Sequence, residues 1–319
     1  MKRIHILILI AFILLLILFI TRLDLINRIK SIENQTFYKR LTHKPTVTVL
    51  ISSYNMANTL PRAINSIVRQ TYTDWEILVI NDGSLDNTKA ILKKYKNNYK
   101  IRIVHNRKNI GLIRSLNKGL KLAKGKYIAR MDADDISLPN RLERQVILMD
   151  KENLDFLAQT HHYKSYTKNE KEDNFDTYAL GIQLFTRVYF THCSVMMRKS
   201  FLTKHHLQYN LKYPNAEDYD LWLAIFYSGG KMGEIGGQPI SIYVPSRHSK
   251  EYYKIHINSK NALRTHYLSK VIPNFDSKML KLPLCGLLPI IINGNKTTKV
   301  LSQKDLEKQY KLNCLRQTF

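Results

Sequence analysis

Three carboxylates stand within four positions directly after the apolar segment Tyr127-Ile128-Ala129-Arg130-Met131: Asp132, Asp134 and Asp135. Carboxylates this close repel one another unless a cation lies between them. The D-x-D spacing indicates a site for a hard divalent cation, which takes oxygen ligands and shares them with substrate phosphates. The same spacing also fits a solvated acidic turn or the N-cap of a helix beginning near Ser137, so the surrounding elements must decide.

Short β-branched runs alternate with amphipathic segments on both sides of these carboxylates. The pattern predicts a first helix capped by Asn58 or Thr59, with further helices at 86–96 and 112–124 and strands at 47–51, 76–80, 101–104 and 127–131. Right-handed crossovers between such strands build an open, mainly parallel sheet, so the expected fold is α/β. Ligands in these sheets bind beyond the carboxyl ends of the strands.

Polar clusters follow three of the predicted strands directly, at 52–55, 81–84 and 132–135. They should converge on one edge of the sheet, which favours a functional site over three unrelated solubilising loops. A divalent cation there would make a diphosphate a better leaving group by neutralising the charge that develops on it. Neither G-x-G-x-x-G nor G-x-x-x-x-G-K-[ST] occurs, which argues against a dinucleotide oxidoreductase or a P-loop enzyme.

The composition indicates a polyanionic neighbour, because 50 Lys and Arg stand against 25 Asp and Glu for a net charge of +25. Nucleic acid, an anionic membrane surface and phosphorylated substrates would all satisfy that charge. The lysines are scattered and no aromatic-basic platform is visible, which argues against a nucleic-acid binder. Three widely spaced cysteines, in no metal-ligand pattern, fit a reducing compartment.

The N-terminal segment is almost unbroken Ile, Leu and Phe from Ile4 to Ile20. We expect a transmembrane anchor at 1–22, followed by a linker at 23–44, because no small-residue cleavage site of a signal peptide follows. Cations after the segment outnumber Lys2 and Arg3, which favours a cytoplasmic body. The prediction is therefore a single-pass membrane protein whose basic surface faces an anionic leaflet.

A second acidic motif lies in the second half of the chain. Glu217 and Asp218 open an apolar segment that ends at Gly229-Gly230, which predicts a helix. Acidic residues are common at helix N-termini because they complement the helix dipole, so the pair can be structural. A carboxylate within hydrogen-bond reach of a hydroxyl can alternatively act as a general base.

These segments together resemble the family 2 glycosyltransferases of the GT-A fold. The resemblance runs from about Thr46 to Ser249 and rests on four motifs in order: V-L-I-S-S-Y-N at 49–55, I-N-D-G-S-x-D at 80–86, G-K-Y-I-A-R-M-D-A-D-D at 125–135 and E-D-Y-D-L-W-L at 217–223. It implies a single nucleotide-diphospho-sugar transferase domain with a mixed, mainly parallel central sheet. The Q-x-x-R-W signature of processive synthases is absent, so the expected enzyme is non-processive.

The resemblance also implies roles for the donor side. Asp82 would hydrogen-bond the nucleotide base or ribose, and Asp135 is expected to cap the next helix instead of joining the metal pair. The remaining candidates for binding the nucleotide sugar are Ser53, Tyr54, Asn55, Arg130 and Asp132. The candidates for binding Mn²⁺ or Mg²⁺, or the donor phosphates beside it, are Asp132, Asp134 and His248.

On the acceptor side, the resemblance implies Asp218 as catalytic base, with Glu217 as the second candidate, and inversion by single displacement. His192 and Trp222 would contact the acceptor. The expected substrates are a nucleotide-diphosphate sugar and a glycan or lipid-linked acceptor, in cell-envelope polysaccharide synthesis. A nucleotidyltransferase and an inactive relative that only binds its ligand are the alternatives. The first should have a glycine-rich, basic loop after the first strand, which is missing. The second is disfavoured because the acidic residues of the motifs are all present.

The expected organisation is a transferase domain at 45–255, with a nucleotide-sugar half at 45–150 and an acceptor half at 151–255. A helical or membrane-proximal extension would follow at 256–319. The polar segment 164–177 is expected to be a mobile loop over the acceptor site or an ordinary disordered insertion.

Overall fold

A seven-stranded mixed sheet organises the chain in the computed structural model, which describes residues 42–159, 173–185, 190–237, 239–242 and 250–275 and scattered positions toward both ends. The strand order is β3-β2-β1-β4-β7-β6-β8, with β7 antiparallel to both of its neighbours. A separate pair joins β5 to β9. The strands of the described residues are β1 Val47–Ser53, β2 Trp75–Asn81, β3 Ile101–His105, β4 Tyr127–Asp132, β5 Ile136–Ser137, β6 Phe156–Ala158, β7 Met196–Arg198, β8 Met232–Glu234 and β9 Ser241–Ile242.

Helices cover both faces of this sheet. Within the described residues they are α1 Leu60–Val68, α2 Thr88–Lys93, α3 Leu112–Leu122, α4 Arg141–Lys151, α5 Thr177–Leu184, α6 Lys199–Lys204, α7 Glu217–Tyr227 and α8 Lys250–Ser269, with a 3₁₀ turn at His192–Ser194. The expected α/β fold with a mainly parallel sheet is confirmed. The single antiparallel strand β7 comes from the second half of the chain and joins the two halves in one sheet.

The β-branched composition of β1 follows from its central place in the sheet. Val49 and Ile51 are buried against α1 on one face, while Leu50 is buried against α3 on the other. A strand covered on both faces must be apolar almost throughout, which is why β1 reads as a continuous run instead of an alternation. Pro61 opens α1, where its missing N–H removes no helical hydrogen bond.

The register of the parallel strands determines where the site can form. Ser52 of β1 pairs with Asp132 of β4, and Ser53 pairs with Asn81 of β2. The polar residues that end these three strands therefore lie side by side at one edge of the sheet, as the sequence predicts.

A buried polar network holds the opposite edge. Thr48 donates to Glu76 at 2.7 Å, and Arg102 pairs with the same carboxylate at 2.8 Å. The backbone N–H of Gly125 donates to the Thr48 hydroxyl at 2.8 Å, which anchors the start of β4 against β1. This network accounts for a threonine and a glutamate inside otherwise apolar strands, since buried polar groups need partners.

Several local expectations change. The helix expected at 86–96 is the shorter α2, and the helix after the acidic cluster begins only at Arg141, with Asn140 as its N-cap residue. Asp135 is therefore not a helix cap; it is buried beside Arg141 and Cys193. The long helix α8 crosses the predicted domain boundary at 255. Segment 164–172 of the predicted loop and most of 276–319 lie outside the described residues.

The predicted membrane anchor at 1–22 also lies largely outside the described residues. Residues 17–28 are helical, but that stretch includes Arg22, Asp24 and Arg28, and the last two form an ion pair at 2.9 Å. In the part of the chain that the structure describes, no helix is long and apolar enough to cross a membrane. The prediction of a single-pass membrane protein with a cytoplasmic catalytic domain is therefore wrong.

Replacing Gly125 by alanine should destabilise the fold strongly. A Cβ at Gly125 would lie 2.4 Å from the backbone nitrogen of Thr48, and backbone atoms in a central strand cannot move aside as a side chain can. We expect Gly125→Ala to lower the free energy of unfolding by roughly 2–4 kcal/mol, measured by urea denaturation. Gly229→Ala is the control, because its added Cβ meets open space and only its positive φ of 78° is strained. Equal losses in the two variants would contradict the steric account.

Candidate active site

The loops that follow β1 and β2 are tied to each other at the carboxyl edge of the sheet. Asn55 sits at a φ of 54°, its N–H donates to the Ser84 hydroxyl at 3.0 Å, and its side-chain carbonyl accepts from Leu85 N–H at 2.8 Å. A further hydrogen bond joins the same two loops, since Ala57 N–H donates to the Asp86 carboxylate at 3.0 Å. The two loops therefore form one braced wall, and Asn55 supports it instead of pointing freely toward a ligand.

Asp82 is buried and already accepts three hydrogen bonds from its own chain. Its Oδ1 accepts from the side chain of Asn106 at 2.8 Å and from Ile110 N–H at 2.9 Å, while Oδ2 accepts from Gly111 N–H at 2.9 Å. These bonds fold the segment after β3 back against the end of β2. A carboxylate has further lone pairs, so the nucleotide contact stays a prediction, but holding this loop is the role the structure shows.

Two candidate donor contacts lie immediately beside this wall. Tyr54 is exposed, which leaves its ring available for a ligand. Ser53 is buried, and its hydroxyl has no hydrogen-bond partner among the described residues. A buried hydroxyl without a partner is costly, so a ligand group that reaches the end of β1 would find a ready donor or acceptor there.

A buried arginine stands at the centre of the edge. Arg130 is 2% exposed and forms an ion pair through Nη1 with Asp132, while its Nε has no hydrogen-bond partner among the described residues. Burial alone would lower the pKa of Arg130, but the Asp132 charge raises it above its ordinary value, so the guanidinium stays charged. Because Asp132 remains partly exposed, the pair joins the interior to the open edge.

The charge of Arg130 reaches carboxylates from both halves of the chain. It lowers the pKa of Asp134 after β4 and of Glu217 and Asp218 at the start of α7. In each case burial raises the pKa more than Arg130 lowers it. The structure therefore brings together the two acidic motifs that the sequence separates by more than eighty positions.

Asp132 and Asp134 repel each other electrostatically, although arginines lie beside both of them. Burial, and then the charge of Asp132, raise the pKa of Asp134, even though Arg62 and Arg130 lower it. Arg62 also donates to the backbone carbonyl of Asp134 at 2.9 Å, which fixes the turn. A divalent cation between the two carboxylates would remove this repulsion, so the pair fits the cation expected there.

These carboxylates do not form a complete coordination shell by themselves. No group of three or more His, Cys, Asp or Glu side chains that could hold a metal occurs among the described residues. His248, the third expected ligand, lies outside them. Two carboxylates suit a cation that completes its coordination with water and substrate phosphates.

The strand that carries Arg130 is braced from behind by a second buried arginine. Arg141 of α4 donates through Nη2 to the Arg130 carbonyl at 2.7 Å and through Nη1 to the Ser137 hydroxyl at 2.9 Å. Its Nε donates to Gln145 at 3.0 Å, and Gln145 in turn donates to the Ser194 carbonyl at 2.7 Å. The acidic turn is thereby fixed to α4 and to the 3₁₀ turn at His192–Ser194.

The two acids at the start of α7 differ in exposure. Glu217 is buried, and its Oε2 has no hydrogen-bond partner among the described residues; burial and the charge of Asp218 raise its pKa to about 7. Asp218 is half-buried and accepts from Tyr219 N–H at 2.7 Å. Burial raises its pKa as well. Asp218 is the member of the pair that a second substrate can reach.

The predicted acceptor residues have different surroundings. His192 is partly buried and its Nε2 lies 3.0 Å from the Tyr209 hydroxyl. Burial and the charge of Arg130 hold the pKa of His192 well below its usual range, so the imidazole is neutral. Trp222 is 1% exposed and packs on Phe156 and His192. The expectation that Trp222 contacts an acceptor is corrected, because its ring is part of the core.

The structure adds residues from α8 that the sequence motifs did not indicate. The His256 ring hydrogen-bonds the Asn215 carbonyl just before the acidic pair, and its charge lowers the pKa of Asp218. Lys260, one turn further along α8, is half-buried; burial lowers its pKa and the charge of Asp218 raises it. The only local signal is the i,i+4 spacing of His256 and Lys260 on one helix face, which does not reveal the element that faces them.

This chain is similar in sequence to known proteins. The family described as glycosyl transferase family 2 matches residues 48–207. An uncharacterized glycosyltransferase of Haemophilus influenzae is 30% identical over 278 residues, covering 81% of this chain and 83% of its own. The Escherichia coli UDP-Glc:α-D-GlcNAc-diphosphoundecaprenol β-1,3-glucosyltransferase WfgD is 29% identical over 180 residues, covering 56% of this chain and 69% of its own.

Solved structures share the fold at low identity. The mannosyltransferase PcManGT from Pyrobaculum calidifontis, solved in complex with GDP-Man and Mn²⁺, superposes with a TM-score of 0.55 at 15% identity and covers 91% of each chain. At that identity the similarity supports the fold alone.

The raised pKa of Glu217 predicts a pH-dependent stability. The folded pKa of about 7 lies above the ordinary value of 4.5, so the folded state is favoured while Glu217 keeps its proton and loses that advantage as pH rises toward and through 7. Glu217→Gln cannot ionise, so the decline in unfolding free energy between pH 5 and pH 8 should shrink by roughly 1–3 kcal/mol.

The measurement is urea denaturation at each pH. Glu152→Gln is the matched control, because that side chain is partly exposed at the end of α4. An unchanged pH dependence in Glu217→Gln would show that this carboxylate does not titrate in the folded protein as the geometry requires.

Proposed function

Because this chain belongs to glycosyl transferase family 2, we propose that it transfers a sugar from a nucleotide-diphosphate sugar to a glycan or lipid-linked acceptor, with Asp218 as the catalytic base. One observation carries the proposal: the buried charge of Arg130 lies among the carboxylates of both acidic motifs, so donor-side and acceptor-side acids share one site. The chain is a glycosyltransferase by family; its substrates and the roles of its residues are the proposal.

On the donor side, the braced wall formed by the loops after β1 and β2 would bind the nucleoside. Tyr54 would contact the base with its exposed ring, and the buried Ser53 hydroxyl would gain the partner it lacks. Arg130 and Asp132 would then lie beside the diphosphate. The loop after β3, held closed by Asp82, would exclude water from one side of this pocket.

Asp132 and Asp134 would hold Mn²⁺ or Mg²⁺ together with the donor diphosphate. Such a cation supplies charge neutralisation on the leaving diphosphate. The protein's own part is to hold both carboxylates in one turn, through the Arg62 contact to the Asp134 carbonyl and the Arg130 contact to Asp132. Arg130 would also keep a positive charge beside the leaving group. Because its side chain is buried, water would not screen that charge.

Asp218 would remove the proton from the acceptor hydroxyl. As that oxygen forms its bond to the anomeric carbon, the bond from this carbon to the diphosphate oxygen breaks and the nucleoside diphosphate leaves with the electron pair. This single displacement inverts the anomeric centre. Burial raises the pKa of Asp218 and so strengthens it as a base, while its partial exposure lets an acceptor approach. Glu217, with a pKa of about 7, would be the buried member of the pair behind Asp218.

The acceptor would be a growing glycan, carried on a lipid or a polymer of the cell envelope. The relative WfgD acts on a diphosphate-linked acceptor, as its name states. The net charge of +25 supports an acceptor that bears phosphate or another anionic group. Neutral His192, in contact with Tyr209, can accept or donate a hydrogen bond to a sugar hydroxyl at this side of the site.

Replacing the base should abolish transfer without affecting donor binding. We expect Asp218→Asn to lower the turnover of a nucleotide-sugar donor by about 10²–10⁴-fold, because the amide cannot take the acceptor proton. UDP or GDP affinity, measured by calorimetry, should stay within about twofold. Asp220→Asn is the matched control: it lies one position beyond Tyr219 on α7 and its Oδ1 can still accept from Tyr267. Retained turnover in Asp218→Asn would reject the assignment.

Removing one of the paired carboxylates should weaken cation binding directly. We expect Asp134→Asn to lower the affinity for Mn²⁺, measured by electron paramagnetic resonance in the presence of UDP, by at least about tenfold. Asp74→Asn, at the opposite end of the sheet, should leave Mn²⁺ affinity unchanged. If both variants bind Mn²⁺ like the wild type, the D-x-D pair is not the cation site.

A further inference from the structure

The helix α8 places three basic residues on the side of the acidic pair that opens α7. His256, Lys260 and Arg264 follow one another at four-residue spacing, so they lie along one face of the helix. Leu263 and Tyr267, three and seven positions after Lys260, are buried in the core. Lys260 is partly exposed, so it lies where the packed side of α8 meets the surface.

Two hydrogen bonds hold α8 on either side of Lys260. One turn before it, the His256 ring hydrogen-bonds the Asn215 carbonyl in the loop that leads into α7. One turn after it, Arg264 Nε donates to the Phe185 carbonyl just beyond α5. The turn of α8 that carries Lys260 is therefore fixed against both the loop before the acidic pair and the end of α5.

The ammonium group of Lys260 has no hydrogen-bond or ion-pair partner in the part of the chain that the structure describes. The charge of Asp218 acts on it, but the two side chains form no ion pair. Burial lowers the pKa of Lys260 more than Asp218 raises it, and the like charge of Arg264 lowers it further. The described residues therefore compensate this ammonium incompletely, and an anionic ligand would stabilise it.

Lys260 also affects which ligands can approach Asp218. The partly exposed Asp218 carboxylate would by itself repel an acceptor that carries a negative group near its reactive hydroxyl. A lysine that interacts electrostatically with this carboxylate offsets part of the repulsion and attracts the negative group. The arrangement thus favours an anionic acceptor over a neutral one.

We propose that Lys260 binds a phosphate group of the acceptor and is a specificity-determining residue for phosphate-bearing acceptors. The inference rests on the proposed function, in which Asp218 takes the proton of the acceptor hydroxyl, but the phosphate contact can be measured without turnover. Lys260 would hold the phosphate from α8 while the acceptor hydroxyl faces Asp218 from the same ligand. A lipid-linked phosphate and a polymer phosphate offer the same anionic oxygens, and the test separates them.

The test uses the full chain in the presence of UDP and Mg²⁺, so that added phosphate esters do not compete for the donor side. Lys260→Gln removes the charge, and Lys260→Arg keeps it. Lys254→Gln is the matched control, because it makes the same change in net charge at an exposed position of the same helix. Calorimetry measures the binding of hexyl phosphate, as a lipid-like ester, and of glycerol phosphate, as a fragment of a polymer.

We expect at least one of the two esters to bind the wild type and Lys254→Gln alike, and to bind Lys260→Gln at least about fivefold more weakly. Lys260→Arg should retain most of the affinity, because a guanidinium also pairs with phosphate oxygens. Tighter binding of hexyl phosphate would assign a lipid-linked phosphate, and tighter binding of glycerol phosphate would assign a polymer. The Tm of Lys260→Gln should not fall, since an amide costs less to bury than an ammonium without a partner.

Turnover distinguishes this inference from the proposed function. The ester that binds should compete with the acceptor and not with the nucleotide sugar, and Lys260→Gln should raise the acceptor KM more than it lowers kcat. Retained turnover in Asp218→Asn, with phosphate binding still lost in Lys260→Gln, would reject the base and leave the phosphate site. Equal ester affinities in Lys260→Gln and Lys254→Gln, or no ester binding to the wild type, would overturn the proposal.

Discussion

The candidate active site depends on one buried positive charge. Arg130 lies inside a mainly parallel sheet, where an unpaired guanidinium would be strongly unfavourable, and Asp132 compensates it from the open edge. The same charge moderates the raised pKa values of Asp134, Glu217 and Asp218. Without it, the pKa values of these three carboxyl groups would be raised further.

Hydrogen bonds from α4 to the backbone of β4 fix the position of that charge. Arg141 holds the Arg130 carbonyl, and through Gln145 it also holds the turn that carries His192. The antiparallel strand β7 then follows directly from this turn and pairs with β4. The donor and acceptor halves are therefore joined by a continuous buried network, which explains why α4 carries a fully buried arginine in a protein with a large apolar core.

The basic residues of the chain lie in more than one kind of environment. Some of the basic residues compensate acids inside the site, as Arg130 does, and His256 and Lys260 approach the acidic pair from α8. Others, such as Lys254, lie on the exposed surface. A net charge of +25 therefore does not by itself indicate a membrane or a nucleic acid, because each cation must be judged by what faces it.

The sequence by itself determined the α/β fold, the shared edge formed by β1, β2 and β4, and the family, because continuous β-branched runs and strand-end polar clusters are local patterns. It could not reveal that Asp82 is occupied by its own loop, that Trp222 belongs to the core, or that Asp135 does not cap a helix, since each depends on partners far along the chain. The prediction from the sequence was wrong at the N-terminus, where apolar composition predicted a membrane span that no described helix supports. Only the tertiary structure brought Arg130 to the second acidic motif, because burial and long-range Coulomb interactions are properties of the packed chain and leave no periodic signal in it.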